Sequence, residues 1–221
     1  MTSSGGPWIL SGMTQNNARH EAPVRTFLET IVRDPAQHAR FLNMLSMLEH
    51  MGSRKIMVSQ MNDPANMTED MLKHLAEEAR HAYFFKRQAE RVARAPMPGY
   101  NDSNTFCRIP AAMYFGRLDA GLARQVPVAE AYPWVSLIIE LRACWIYGIY
   151  HDVLQDAKIT ISLKSLLAEE DMHLAEMFEM CGDNTPRLQA LSAYETDLFG
   201  KLLAMLQAEL STGAQLTSKA A

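Results

Sequence analysis

The chain has few cysteines, and no two of them are close together. Cys107, Cys144 and Cys181 are the three cysteines among 221 residues, and none forms a Cys-x-x-Cys spacing. Neither a disulfide framework nor a zinc or rubredoxin-type site is therefore indicated. A chain without disulfides suits a reducing compartment, so we expect a cytoplasmic protein.

Long apolar runs and an excess of positive charge are also lacking. No stretch reaches the roughly 18 uninterrupted apolar residues of a membrane span. Residues 1–23 lack the basic region followed by an apolar core that secretion requires. The formal net charge of −4 gives no overall attraction to nucleic acid or anionic lipid. We therefore expect neither a membrane nor a nucleic acid as a partner.

The composition of the chain and the spacing of its apolar residues are typical of a globular helical protein. Hydrophobic residues make up 48% and charged residues 21% of it, as in soluble globular proteins. Its length suits one domain with a sizeable core. Apolar residues recur at three- and four-residue steps, and no alternating strand pattern competes with them. The predicted fold class is all-α.

Turn and capping signals divide the chain into segments. We predict a flexible N-terminal arm over 1–23, a helical domain over 24–210 and a disordered tail over 211–221. Residues 96–127 form a long connection with a short helix over 111–122, as in a crossover between two helical hairpins. The other predicted helices cover residues 24–33, 34–61, 68–94, 133–154, 159–180 and about 186–210. The last is amphipathic and would cover the domain or mediate contact in a homo-oligomer.

Two Glu-x-x-His motifs are the most informative feature of the sequence. Glu78 and His81 form the first, and Glu170 and His173 form the second. Residues three apart lie on the same face of a helix, so each pair could bind one metal ion. In a chain of this composition one Glu-x-x-His is expected about 0.5 times by chance, so a single copy would be uninformative.

Each motif is preceded by a further glutamate at nearly the same spacing. Glu49 lies 29 residues before the first motif and Glu140 lies 30 residues before the second. The midpoint of the first interval falls within the turn signal at 62–64, and that of the second falls at Gln155, where the apolar pattern breaks. Residues equidistant from the turn of an antiparallel hairpin stand at one level. Each hairpin should therefore bring a Glu beside a Glu-x-x-His.

Four carboxylates and two imidazoles inside a helical domain require positive counter-charge, because a buried unpaired carboxylate costs several kcal/mol. Two divalent cations would balance the four negative charges. Mixed oxygen and imidazole donors suit iron or manganese better than copper or structural zinc. Two iron ions, two manganese ions or a mixed pair would all suit these donors. The predicted ligands are Glu49, Glu78, His81, Glu140, Glu170 and His173.

This pattern resembles the ligand set of the ferritin-like di-iron carboxylate superfamily, in which two helices give one Glu each and two give Glu-x-x-His. The resemblance covers about residues 34–180. It implies a ferritin-like four-helix bundle with a long crossover and extra N- and C-terminal helices. It also implies two iron ions as the cofactor, with manganese or a mixed pair as alternatives. It also implies that Glu78 and Glu170 bridge the metals, whereas Glu49 and Glu140 are terminal ligands. Reaction with O₂ or peroxide is implied too, with electrons from an external donor.

Ser136-Leu137-Ile138-Ile139-Glu140 and the ligand spacings are also similar to those of the aldehyde-deformylating oxygenases. We predict an oxygenase or oxidase of a small organic substrate, because small or polar residues one turn from the ligands would leave space for a guest. These residues are Ser46, Gly52, Ser53, Ala82, Ser136 and Ala143.

Three alternatives remain. The symmetric ligand set also suits iron or peroxide handling of the bacterioferritin or rubrerythrin type, although the missing Cys-x-x-Cys argues against a full-length rubrerythrin. A metal-free structural bundle would need exposed carboxylates. The net charge disfavours a tRNA-modifying relative.

Four residues near the ligands could support them. His74 lies one turn before Glu78 on the same face of the helix. Its role is that of an extra ligand, of a hydrogen-bond donor to a ligand or of a core histidine. Cys144 and Tyr147 follow Glu140 by one and two turns, either in the core or facing a substrate. Asp171 could orient a ligand histidine by hydrogen bonding.

Overall fold

The computed structural model describes residues 6–61 and 67–219, and in these stretches every regular element is helical. This confirms the all-α class. The α-helices of this part are α1 (Gly6–Ile31), α2 (Pro35–Met61), α3 (Glu69–Ala93), α4 (Arg108–Ala123), α5 (Ala131–Asp156), α6 (Lys164–Cys181) and α7 (Thr185–Lys219). Of the helices described, none is both long enough and apolar enough to cross a membrane.

The chain divides into two compact units, each containing one predicted hairpin. The α2–α3 unit comprises Glu29–Phe115 and Leu202–Ala221, and the α5–α6 unit comprises Met1–Leu28 and Gly116–Lys201. Within the first unit α2 packs against α3, and within the second α5 packs against α6. Each unit therefore contains one Glu and one Glu-x-x-His on adjacent helices.

Local capping sets the ends of α2 and α3 close to the predicted positions. The Asp34 carboxylate accepts hydrogen bonds from the first turn of α2, including one of 2.9 Å from the Ala36 amide. The Thr68 hydroxyl accepts a 3.2 Å bond from the Met71 amide and caps α3. At the other end of α3, Arg94 has a left-handed φ of 53°. The predicted turn at 62–64 lies outside the described residues.

The α5–α6 hairpin differs from the prediction at one end. α5 ends at Asp156, next to the predicted turn. α6 begins at Lys164, five residues later than predicted. The segment between them opens with Lys158 at a left-handed φ of 55°, and the β-branched side chains that follow disfavour continued helix. Leu163 is fully buried even though it precedes the helix.

The predicted flexible arm and the predicted short helix after it form one continuous helix. α1 runs from Gly6 to Ile31 with Pro23 inside it, even though proline removes one backbone hydrogen bond. The Asn17 side chain is fully buried and accepts a 2.8 Å hydrogen bond from Arg142 on α5. That contact stabilises the helix and cannot be deduced from local composition. Residues 1–5 of the predicted arm lie outside the described ones.

α7 also continues where a disordered tail is predicted, as far as Lys219. The hydroxyls of Ser211 and Thr212 donate to carbonyls one turn earlier, at 2.9 and 3.0 Å, so these polar residues are accommodated within the helix. Glu209 accepts a 3.0 Å bond from the Cys107 amide, which attaches α7 to the start of α4. The last two residues of the predicted tail lie outside the described ones.

Candidate metal centre

The α2–α3 unit brings three predicted ligands together. Glu49 on α2 and Glu78 and His81 on α3 are all buried. Nδ1 of His81 lies 4.0 Å from Oε2 of Glu49 and 3.8 Å from Oε1 of Glu78. One ligand atom from each of the three residues lies within 4.8 Å of the others. The hairpin therefore has the register that equal distances from its turn predict.

This cluster could hold a metal ion. Donor atoms bound to one ion at about 2.1 Å stand roughly 3 to 4 Å apart, which is close to the observed separations. Two carboxylates and one imidazole also match the charge of a single divalent cation. Without a cation, burying two carboxylates this close together would be strongly unfavourable.

Two neighbours constrain the Glu78 carboxylate. His74, one turn earlier on α3, is buried and places Nε2 3.6 Å from Oε1 of Glu78. On the other side, a Cβ added to Gly52 of α2 would lie 3.1 Å from Oε2 of Glu78. Glycine at position 52 therefore leaves room for the carboxylate itself.

Replacing Gly52 by alanine should displace the Glu78 carboxylate and weaken metal binding about tenfold, as changes around ligands commonly do. Binding can be measured by competition of Fe²⁺ or Co²⁺ with a chromophoric chelator. Gly148→Ala on α5 is the matched control, because a Cβ there meets nothing within 4 Å. This control should leave metal binding unchanged and stabilise the fold by about 0.5–1 kcal/mol. Equal metal affinity in both variants would contradict the packing argument.

The α5–α6 unit repeats the arrangement. Glu140 on α5 and Glu170 and His173 on α6 are all buried. Nδ1 of His173 lies 3.8 Å from Oε2 of Glu170, and ligand atoms of Glu140 and His173 lie within 4.8 Å of each other. This unit too therefore presents two carboxylates and one imidazole in its interior.

The three predicted supporting residues of this unit occupy different environments. Tyr147 is buried, Cys144 is half-buried and Asp171 is exposed. The Cys144 thiol lies 3.9 Å from the Asp171 carboxylate, to which it donates. Burial raises the pKa of the Cys144 thiol well above its ordinary value, and the negative charges of Glu170 and Asp171 add to the rise. Cys144 on α5 therefore has a protonated thiol, which contacts Asp171 on α6.

Tyr100 contacts the α2–α3 cluster region although the sequence places it in a loop. Its hydroxyl lies 2.9 Å from the hydroxyl of Ser46, one turn before Glu49. Ser46 in turn donates a 2.7 Å bond to the Ala82 carbonyl on α3. The Tyr100 ring stacks on His50 at a centroid distance of 6.0 Å. No local signal predicts these contacts, because they join residues at least 36 positions apart.

The described residues thus form an all-helical protein with buried groups of Glu and His that could hold metal ions. Comparisons with protein-family models, with curated proteins and with solved structures gave no match. The nature of the metal and of the reaction is therefore inferred from the donor set and its repeat.

Proposed function

We propose that the chain is a di-iron oxidoreductase that activates O₂ or peroxide. Its two iron ions would be held by Glu49, Glu78, His81, Glu140, Glu170 and His173. The observation that supports this most strongly is the duplication: each unit places a buried Glu on one helix and a buried Glu-x-x-His on the next. Each half matches one divalent ion in charge.

Burial of the carboxylates argues against a purely structural role. A metal-free bundle would need Glu49, Glu78, Glu140 and Glu170 in contact with water, but all four are buried. Ionised carboxylates in such positions are stabilised by cations. Oxygen donors with one imidazole per ion suit iron or manganese.

When bound, a pair of iron ions supplies two electrons at once to O₂ or peroxide. The protein would hold the ions through His81, His173 and the four buried carboxylates, whose negative charge would balance that of two divalent cations. Phe85, one turn after His81, and Leu137, one turn before Glu140, are fully buried. Such apolar neighbours exclude water from reactive groups. Because the sequence has no Cys-x-x-Cys, the electrons would come from an external donor or from substrate.

We further propose that the substrate is a small organic molecule that approaches α5. On α2, the space expected beside two small residues is occupied: Ser46 faces the Tyr100 hydroxyl, and Gly52 faces the Glu78 carboxylate. On α5, Ser136 and Ala143 are half-buried. The space predicted beside these two small residues would therefore receive the substrate. The occupied positions on α2 favour a second candidate, ferroxidase or peroxidase activity without an organic substrate.

Stoichiometric iron loading tests the proposal. Metal-free protein is titrated anaerobically with Fe²⁺ and then mixed with air, while ferric near-ultraviolet absorbance and O₂ uptake are recorded. We expect saturation at two irons per chain and oxidation much faster than in buffer. Continued uptake into a soluble mineral of many irons would favour the second candidate. Oxidation no faster than in buffer would overturn both.

A further inference from the structure

We propose that His74 is a seventh metal ligand and that it makes the two metal positions unequal. This inference rests on the proposed function. His74 is buried, with 3% of its surface exposed. Its Nε2 lies 3.6 Å from Oε1 of Glu78, and Nδ1 of His81 lies 3.8 Å from the same oxygen. Two imidazole nitrogens thus flank one carboxylate oxygen at nearly the same distance.

The separation fits shared coordination better than a direct hydrogen bond. A histidine that donates to a carboxylate normally does so at about 2.7–3.2 Å. Two donors on one ion, each with a bond of about 2.1 Å, stand roughly 3 to 4 Å apart. His74 and Glu78 also belong to one buried group whose ligand atoms lie within 4.8 Å of one another. His74 is therefore placed as a ligand would be.

The second motif has no counterpart of His74. The residue four positions before Glu170 is Leu166, which is buried and apolar. The α2–α3 unit therefore presents two imidazoles, whereas the α5–α6 unit presents one. The ion with the additional nitrogen donor should bind more tightly. The ion that lacks this additional donor would retain more open positions, which is where a catalytic metal receives its reactant.

Counting nitrogen ligands in the wild-type protein tests this inference directly. The full chain is loaded with Co²⁺, and the paramagnetically shifted imidazole N–H signals are counted by proton NMR. Three signals are expected, one for each of His74, His81 and His173. Two signals with two bound Co²⁺ ions would overturn the role of His74 and leave the proposed function standing. Failure to bind any metal would overturn both.

A variant that copies the second motif provides an independent measurement. His74→Leu should remove one shifted signal and weaken one of the two stepwise Co²⁺ affinities by at least about 100-fold, the upper range for loss of a group that only supports a ligand. The other affinity should be unchanged. Retention of both affinities would overturn the inference. If His74→Leu fails to fold, the wild-type signal count decides.

His38→Leu is the matched control. His38 is also buried on a helix of the α2–α3 unit, and burial lowers its pKa to about 4. It is not among the clustered ligand candidates. This variant should keep all three signals and both affinities. Loss of a signal in the control as well would show that buried histidines affect the centre only through folding, against the inference.

Discussion

Replacing Glu78 by alanine should abolish iron-dependent O₂ consumption while making the metal-free protein more stable. Glu78 provides a ligand atom within 4.8 Å of those of Glu49 and His81, so its loss removes a donor from the centre. In the absence of metal, the same substitution relieves the repulsion and desolvation of two neighbouring buried carboxylates. A gain of about 1 kcal/mol would raise the melting temperature of a chain of this size by about 2–4 °C.

Thermal unfolding with and without Fe²⁺ or Co²⁺ measures both effects. Added metal should stabilise the wild type by mass action and stabilise Glu78→Ala much less. Glu77→Ala is the adjacent control: Glu77 is half-buried and pairs with Arg80 at 3.7 Å and Lys73 at 4.0 Å. It should retain metal binding and lose at most about 0.5 kcal/mol. A less stable Glu78→Ala that still binds metal would support a structural role instead.

Glu195→Ala should destabilise the protein by about 3–5 kcal/mol, because it leaves a buried guanidinium without its counter-charge. Arg142 and Glu195 form a bidentate ion pair whose side chains are 5% and 0% exposed. Arg142 also packs over the ring of Phe199, with its guanidinium carbon 4.0 Å from the ring centroid. The pair joins α5, two residues beyond Glu140, to α7. Its loss should therefore also lower the stability of α5, which carries Glu140.

Denaturant unfolding of metal-free protein measures the loss. Arg142→Met combined with Glu195→Leu should recover much of the stability, because an apolar pair of similar size can replace a buried ion pair. The exposed pair of Arg19 and Asp197, with a 3.0 Å contact and side chains 63% and 72% exposed, is the control. Asp197→Ala should cost at most about 1 kcal/mol. A similar loss in both single variants would contradict the importance of burial.

The sequence predicts those parts of the structure that depend on local patterns. Glu49, Glu78 and His81 come together because helical spacing sets their face and the distance to the turn sets their level. Thr68 caps α3 at the predicted start of that helix, through a bond that joins residues three positions apart. In contrast, the Tyr100 and Ser46 contact and the Arg142 and Asn17 contact join distant parts of the chain.

The same difference between local patterns and distant contacts explains why α1 and α7 are longer than predicted. The composition of residues 1–23 and 211–221 is polar and indicates little burial. Asn17 is nevertheless buried against Arg142, and Glu209 is bound to the start of α4. Both contacts provide stabilisation from tertiary structure, which commonly outweighs helix propensity. They cannot be found without knowing which segments lie side by side.

The metal content of the purified protein shows whether its buried carboxylates and imidazoles bind metal ions. Protein expressed in iron-containing medium and purified without chelator is measured by inductively coupled plasma mass spectrometry against protein concentration. We expect about two iron or manganese ions per chain, and a marked loss in Glu78→Ala and in Glu170→Ala. A wild-type protein that contains no metal, and that binds neither added Fe²⁺ nor Mn²⁺, would contradict the proposed metal centre.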